Sequence, residues 1–190
     1  MSYAPAVISA RLGSRSRALT VVSVVAVAAL TAAAAQWRIP LWPVPVTGQT
    51  FAVLLGGAAL GWRAGGAAQL LYLAVGAAGV PVFADGASGL AYLTGPTAGY
   101  LVAFPLAAAL VGRLAERRAD RRFWSMVGAF LAGSAVIYLG GVTGLVLLLD
   151  MTVPEAITAG VIPFLVGDAV KAAAAGVLLP AAWRLRGGKW

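Results

Sequence analysis

The chain has 190 residues, 61% of them hydrophobic and only 11% charged, with a mean hydropathy of +0.91. A water-soluble domain carries about a quarter charged residues, so a soluble globule is excluded and one all-α integral membrane domain is expected. Cysteine and histidine are both absent, which removes disulfides, thiol and imidazole catalysis and the common Zn, haem and Fe–S ligand sets, and leaves no catalytic residue, cofactor site or metal site to expect. The net charge of +8 sits in small clusters between apolar runs rather than on one stripe, which argues against a nucleic-acid partner.

Residues 1–17 form a basic tail carrying Arg11, Arg15 and Arg17. From Ala18 to Trp37 no charge occurs, enough for one span of about 20 residues. The run exceeds the apolar core of a signal peptide and nothing hydrophilic follows, so it reads as a retained first span. Pro40, Pro43 and Pro45 then divide the next uncharged stretch into an ordered loop over 39–48 and a short second helix over 49–61. Trp62-Arg63 reads as a tight turn and 64–80 as the third helix. The Pro-, Gly- and aromatic-rich segment from Val80 to Tyr100 should be a structured loop. A fourth helix over 97–112, a fifth over 123–149 and a sixth over 154–183, with Pro154 suited to a helix start, complete a six-helix membrane domain spanning 18–183. Residues 184–190 form a second basic tail.

Lys and Arg near span ends prefer the cytoplasm. With six spans, 12 basic residues fall on one side, in the two tails, the 2–3 turn and the 4–5 loop, against Arg38 alone on the other. Both termini are therefore expected to be cytoplasmic.

Asp168 and Lys171 interrupt the sixth span, flanked by 12 uncharged residues on each side, 156–167 and 172–183. A spacing of three puts them on one helix face. Charges inside a span are costly and usually face the bundle interior or a wet cavity, so the pair is either a ligand site or a structural ion pair. The two irregular outward segments survive at membrane depth only if buried or lining a cavity. They supply Trp42, Gln49, Phe83, Asp85, Tyr92 and Tyr100, and flat apolar walls with sparse polar groups suit a small amphipathic ligand. GxxxG occurs at 57–61, 61–65, 95–99 and 140–144, and AxxxA at Ala28–Ala32 and Ala29–Ala33; such small residues allow close helix contact. No G-x-x-x-x-G-K-[ST] loop is present, so energy for uphill transport must come from another polypeptide.

With these features in hand, the sequence resembles the BioY family, the biotin-specific S components of energy-coupling factor (ECF) transporters. The resemblance runs from about residue 19 to 183 and is carried by PVPVTGQTFAVLLGGAALG (43–61), GAAGVPVFADGASGLAYLTGPTAGYLVAFPLAA (76–108) and GDAVK (167–171). The Arg-rich 4–5 loop lies outside it. The resemblance implies the six-helix S-component fold in a bacterial cytoplasmic membrane, biotin held by helices 4–6 beneath the 1–2 and 3–4 loops, and assembly with two ABC ATPases and a transmembrane coupling protein. It implies that Asp168 and Lys171 bind ligand, with Asp85 the candidate polar position in the 3–4 loop. It also implies that the Ala-rich first helix, with Ala28, Ala29 and Ala32, meets the coupling protein.

On the residues alone, an S component for a different vitamin is equally open. An intramembrane aspartyl protease needs two apposed carboxylates, whereas Asp150 lies at a helix end and Lys171 shares the face of Asp168.

Overall fold

A computed structural model describes residues 17–185. The tails therefore enter the description only through Arg17 and Arg184; Arg11, Arg15, Arg186 and Lys189 lie outside the described residues.

Among the described residues seven α-helices follow in order: α1 (Arg17–Gln36), α2 (Gln49–Leu60), α3 (Trp62–Ala77), α4 (Ala98–Glu116), α5 (Phe123–Leu149), α6 (Val153–Gly160) and α7 (Leu165–Leu185). Between α1 and α2 the chain forms a two-residue β-ladder, β1 (Arg38–Ile39) antiparallel to β2 (Val46–Thr47), with Arg38 opposite Thr47. The Pro-rich 39–48 segment is thus the ordered loop expected, pinned by a short hairpin. Two 3₁₀ turns, Ala84–Gly86 and Leu90–Thr94, give the 3–4 segment its structure.

Three boundaries differ most from the sequence reading, and α3 also ends at Ala77 rather than at 80. The 2–3 turn is made by Gly61 alone, at φ 86° and ψ 173°, a conformation that costs glycine little; Trp62 and Arg63 already belong to α3. Helix α4 runs on to Glu116 despite Pro105 within it. The expected sixth helix is broken: α6 ends at Gly160, Ile162–Phe164 form a 3₁₀ turn, and α7 begins at Leu165. Pro163 has no N–H to donate and restricts the residue before it, which explains the joint. Asp168 consequently lies in the first turn of a helix, not in the middle of one.

Glycines set the closest crossings. A Cβ on Gly99 would come within 2.1 Å of the Gly140 carbonyl and 2.9 Å of the Gly144 Cα, so α4 and α5 pack backbone to backbone through Gly99 and the 140–144 motif, while Gly95 lies before α4 against Tyr92. The 57–61 and 61–65 motifs act likewise: Gly57 lies against Ala108 of α4, and Gly65 against Gly57 itself. Helix α1 is peripheral, burying only Ala28, Thr31 and Ala35. Four stretches of the described residues are long and apolar enough to cross a bilayer: α1, α4, α5 and α6–α7 together. Helices α2 and α3, with 12 and 16 residues, are shorter.

Candidate functional site

The joint before α7 aims its first turn at the start of α2. There the Asp168 carboxylate accepts from the Tyr138 hydroxyl at 2.6 Å, from Lys171 at 2.9 Å and from the Thr50 hydroxyl at 3.3 Å. A carboxylate in a first helical turn also gains from the helix dipole. The Lys171 ammonium donates to Asp168, to Thr50 Oγ1 at 2.7 Å and to the Thr47 carbonyl at 3.0 Å. An ammonium has three N–H donors, so every one is engaged. Asp168 is buried and Lys171 half-buried; removing charge from water is tolerable because the pair is close and its remaining valences are satisfied.

Thr47, Thr50 and Tyr138 carry this cluster to the wall of a cleft with room for about 40 Å³. Thr47, Gln49 and Thr50 line it from the hairpin and α2, Tyr100 and Phe104 from α4, Ile137 and Tyr138 from α5, Phe164 from the joint and Tyr92 from the 3–4 segment. The walls are thus mainly aromatic and aliphatic, interrupted by the hydroxyls of Thr47, Thr50 and Thr97 and the amide of Gln49. No group of three His, Cys, Asp or Glu residues that could hold a metal occurs among the described residues.

The sequence-derived candidates separate into three sets. Gln49, Tyr92 and Tyr100 line the cleft, and Asp168 and Lys171 join them from behind its wall through Thr50, Tyr138 and Thr47. Within that set Gln49 has its amide engaged, accepting from Thr47 at 3.0 Å and donating to the Tyr72 hydroxyl at 2.6 Å. Tyr100 donates to the Gly160 carbonyl at 2.7 Å, satisfying an acceptor left over where α6 stops.

Phe83 lies behind the wall. It is fully buried, stacked on Tyr92 at 4.9 Å and set against Gly76, where a Cβ would meet its ring at 2.2 Å. Its place is to support Tyr92. Asp85 and Trp42 stand apart from the cleft: Asp85 is exposed and paired with Arg38 at 2.6 Å, and Trp42 is 82% exposed.

Of the three alanines expected to face a partner, Ala28 is buried, Ala32 packs against the same core and Ala29 is exposed. They do not share one face.

Tyr138 and Thr50 were missed in the sequence. Each left a trace: Tyr138 is the one tyrosine in the apolar run of α5, and buried tyrosines usually find a partner; Thr50 follows Gln49 directly.

The chain matches the model of the BioY family over residues 8–188. It is 41% identical over 159 residues to a probable biotin transporter BioY of Pyrococcus horikoshii, covering 84% of this chain and 91% of that protein. It is 38% identical over 150 residues to the biotin transporter BioY of Thermotoga maritima, covering 79% and 87%. In three dimensions it resembles the crystal structure of the S-component for biotin from an ECF-type ABC transporter, with a TM-score of 0.80 and 22% identity over 91% of this chain and 93% of that one. A membrane bundle with a mainly apolar cleft, matched by a family model along almost its whole length and by relatives above 30% identity, leaves one assignment: the chain belongs to the BioY family.

Proposed function

We propose that this chain captures biotin in the membrane as the substrate-binding S component of an ECF-type importer. The observation that carries the proposal is the Asp168–Lys171 pair joined through Tyr138 and Thr50 to the wall of a mainly apolar cleft. Biotin offers a compact bicyclic body, a ureido group that donates and accepts hydrogen bonds, and an anionic tail. Asp168 accepts from ureido N–H groups, Tyr92, Tyr100 and Tyr138 flank the rings, and Lys171 supplies the positive charge. The names of the relatives support the choice of ligand.

The chain is a transporter subunit rather than an enzyme. It spans a bacterial cytoplasmic membrane six times, with α2 and α3 as the short second and third spans, α6–α7 as the last, and both termini cytoplasmic. The 12-to-1 distribution of basic residues supports this orientation. Two ABC ATPases and a coupling protein supply the energy, and the exposed side of α1, around Ala29, meets the coupling protein.

Equilibrium binding of labelled biotin to the purified chain tests the proposal. Saturable binding at one site per chain is expected. Absence of biotin binding, together with saturable binding of another vitamin, would reassign the substrate within the same fold.

A further inference from the structure

The Arg-rich 4–5 connection, Arg113 to Arg122, plays no part in the biotin cleft. Its geometry is nonetheless ordered. Arg118 turns the chain at φ 72°, a 3₁₀ turn covers Ala119–Arg121, and α5 starts at Phe123. The fold forms an open cleft of about 480 Å³ lined by Leu114, Arg117, Arg118, Arg121, Arg122 and Ser125.

The two acids of this stretch are committed elsewhere. Glu116 pairs with Arg113 at 3.0 Å. Asp120 is buried and accepts from the Trp183 indole, with the Arg121 guanidinium over the Trp183 ring. Arg117, Arg118 and Arg122 are exposed and have no acidic partner among the described residues. The first turn of α5 contains no acid, so nothing there offsets the positive helix start. Next to the cleft, Trp124 is 80% exposed. An outward indole at the end of an apolar span is the mark of the bilayer interface.

We infer that this cleft binds the phosphodiester headgroup of an anionic phospholipid, held by Arg117, Arg118 and Arg122. Guanidinium forks match phosphate oxygens two at a time. The cleft lies where α4 and α5, both apolar enough to span, come to their ends, so the anion that meets it arrives attached to acyl chains lying along those helices. Basic pockets at span ends are recognised lipid sites on these physical grounds.

The full chain, reconstituted into vesicles of equal phosphatidylglycerol and phosphatidylcholine and re-extracted in mild detergent, is examined by native mass spectrometry. The wild type should retain phosphatidylglycerol over phosphatidylcholine by about tenfold. The triple variant Arg117→Gln/Arg118→Gln/Arg122→Gln should retain the two equally. Arg118→Gly removes charge while suiting the left-handed backbone; it should lose about half the preference on a logarithmic scale and carries the test if the triple variant fails to fold. Arg63→Gln/Arg184→Gln, at the same end but outside the cleft, should leave the preference intact.

Equal retention by the wild type, or an equal loss in the Arg63/Arg184 variant, overturns the site. So does displacement of the lipid by millimolar inorganic phosphate, which would make it a soluble-anion site. If the triple variant instead loses a copurifying protein while its lipid preference stands, the surface is a protein contact and the inference is wrong. Biotin binding, measured in parallel, should be unchanged in every variant, so failure here is distinct from failure of the transport reading.

Discussion

Arg38 and Asp85, 47 residues apart, meet at 2.6 Å and tie the hairpin after α1 to the 3–4 segment. The one basic residue that the charge distribution assigns to the outward side thus meets the acid that sequence reasoning offered as a ligand contact. The pair is a latch between the two segments. Exposed pairs contribute at most about 1 kcal/mol, so Arg38→Gln and Asp85→Asn should each speed biotin release by no more than about fivefold, and equally. Dissociation kinetics check this; a loss above about tenfold in Asp85→Asn alone would return Asp85 to the ligand.

The inner cluster should respond more strongly. Asp168→Asn and Lys171→Met are each expected to weaken biotin binding by more than about tenfold, above about 1.4 kcal/mol, because each leaves a partner buried and unpaired. The double variant separates roles in a binding titration. If the pair only holds α7 to α2, removing both charges restores affinity; if it contacts ligand, binding stays poor in a well-folded protein. Tyr138→Phe removes one donor from the carboxylate and should cost about 1.5 to 3 kcal/mol of affinity or stability.

Orientation is open to cysteine labelling, which is clean because the chain has no native Cys. A cysteine at Leu90, 70% exposed on the 3–4 segment, should react from outside intact cells. One at Arg117 should react only after permeabilisation. The reverse pattern would invert the topology.

The α4–α5 crossing has no room for a side chain. Gly99→Val should lower the thermal midpoint in detergent severely, since its Cβ meets the Gly140 carbonyl rather than a movable side chain, and overpacking a fixed contact typically costs about 1–3 kcal/mol. Gly128→Ala, on the same α5 but with open space around it, should be neutral.

Asp120 lies in the 4–5 connection, and burial pushes its carboxyl up to about 6, opposed by the Trp183 hydrogen bond and by Arg121. A carboxyl raised above its unfolded value favours the folded state most at low pH, and that contribution disappears as pH rises through the folded value. The thermal midpoint should therefore fall between about pH 4 and pH 6. Asp120→Asn, which keeps an acceptor for the Trp183 indole, should flatten that slope.

Much of this architecture was legible in the amino acids because a bilayer forces long uncharged runs and punishes stray charge. The bounds of α5 were read correctly at Phe123 and Leu149, and the joining of Asp168 to Lys171 followed from spacing alone. The α6–α7 joint was not, because Pro163 lies deep in an unbroken apolar run and the Pro154 start looked sufficient. Nor could spacing tell that Phe83 sits behind Tyr92, or that Arg38 claims Asp85. These are contacts between segments, and no local periodicity encodes them.

The joint has one more consequence, for how the charges come to be in the membrane at all. The apolar stretch from Val153 to Leu185 has 33 residues, and as one straight helix it would extend about 50 Å, far beyond a hydrocarbon core of about 30 Å. Broken at Val161–Phe164, it leaves α7 with 21 residues, or about 31 Å, a match to that thickness. Asp168 is the fourth residue of this helix and therefore starts within about one turn of the bilayer edge, where a charge inserts far more cheaply than at the midplane. What shields the pair from water in the folded chain comes from other elements, through Thr50 of α2, Tyr138 of α5 and Thr47 of the hairpin.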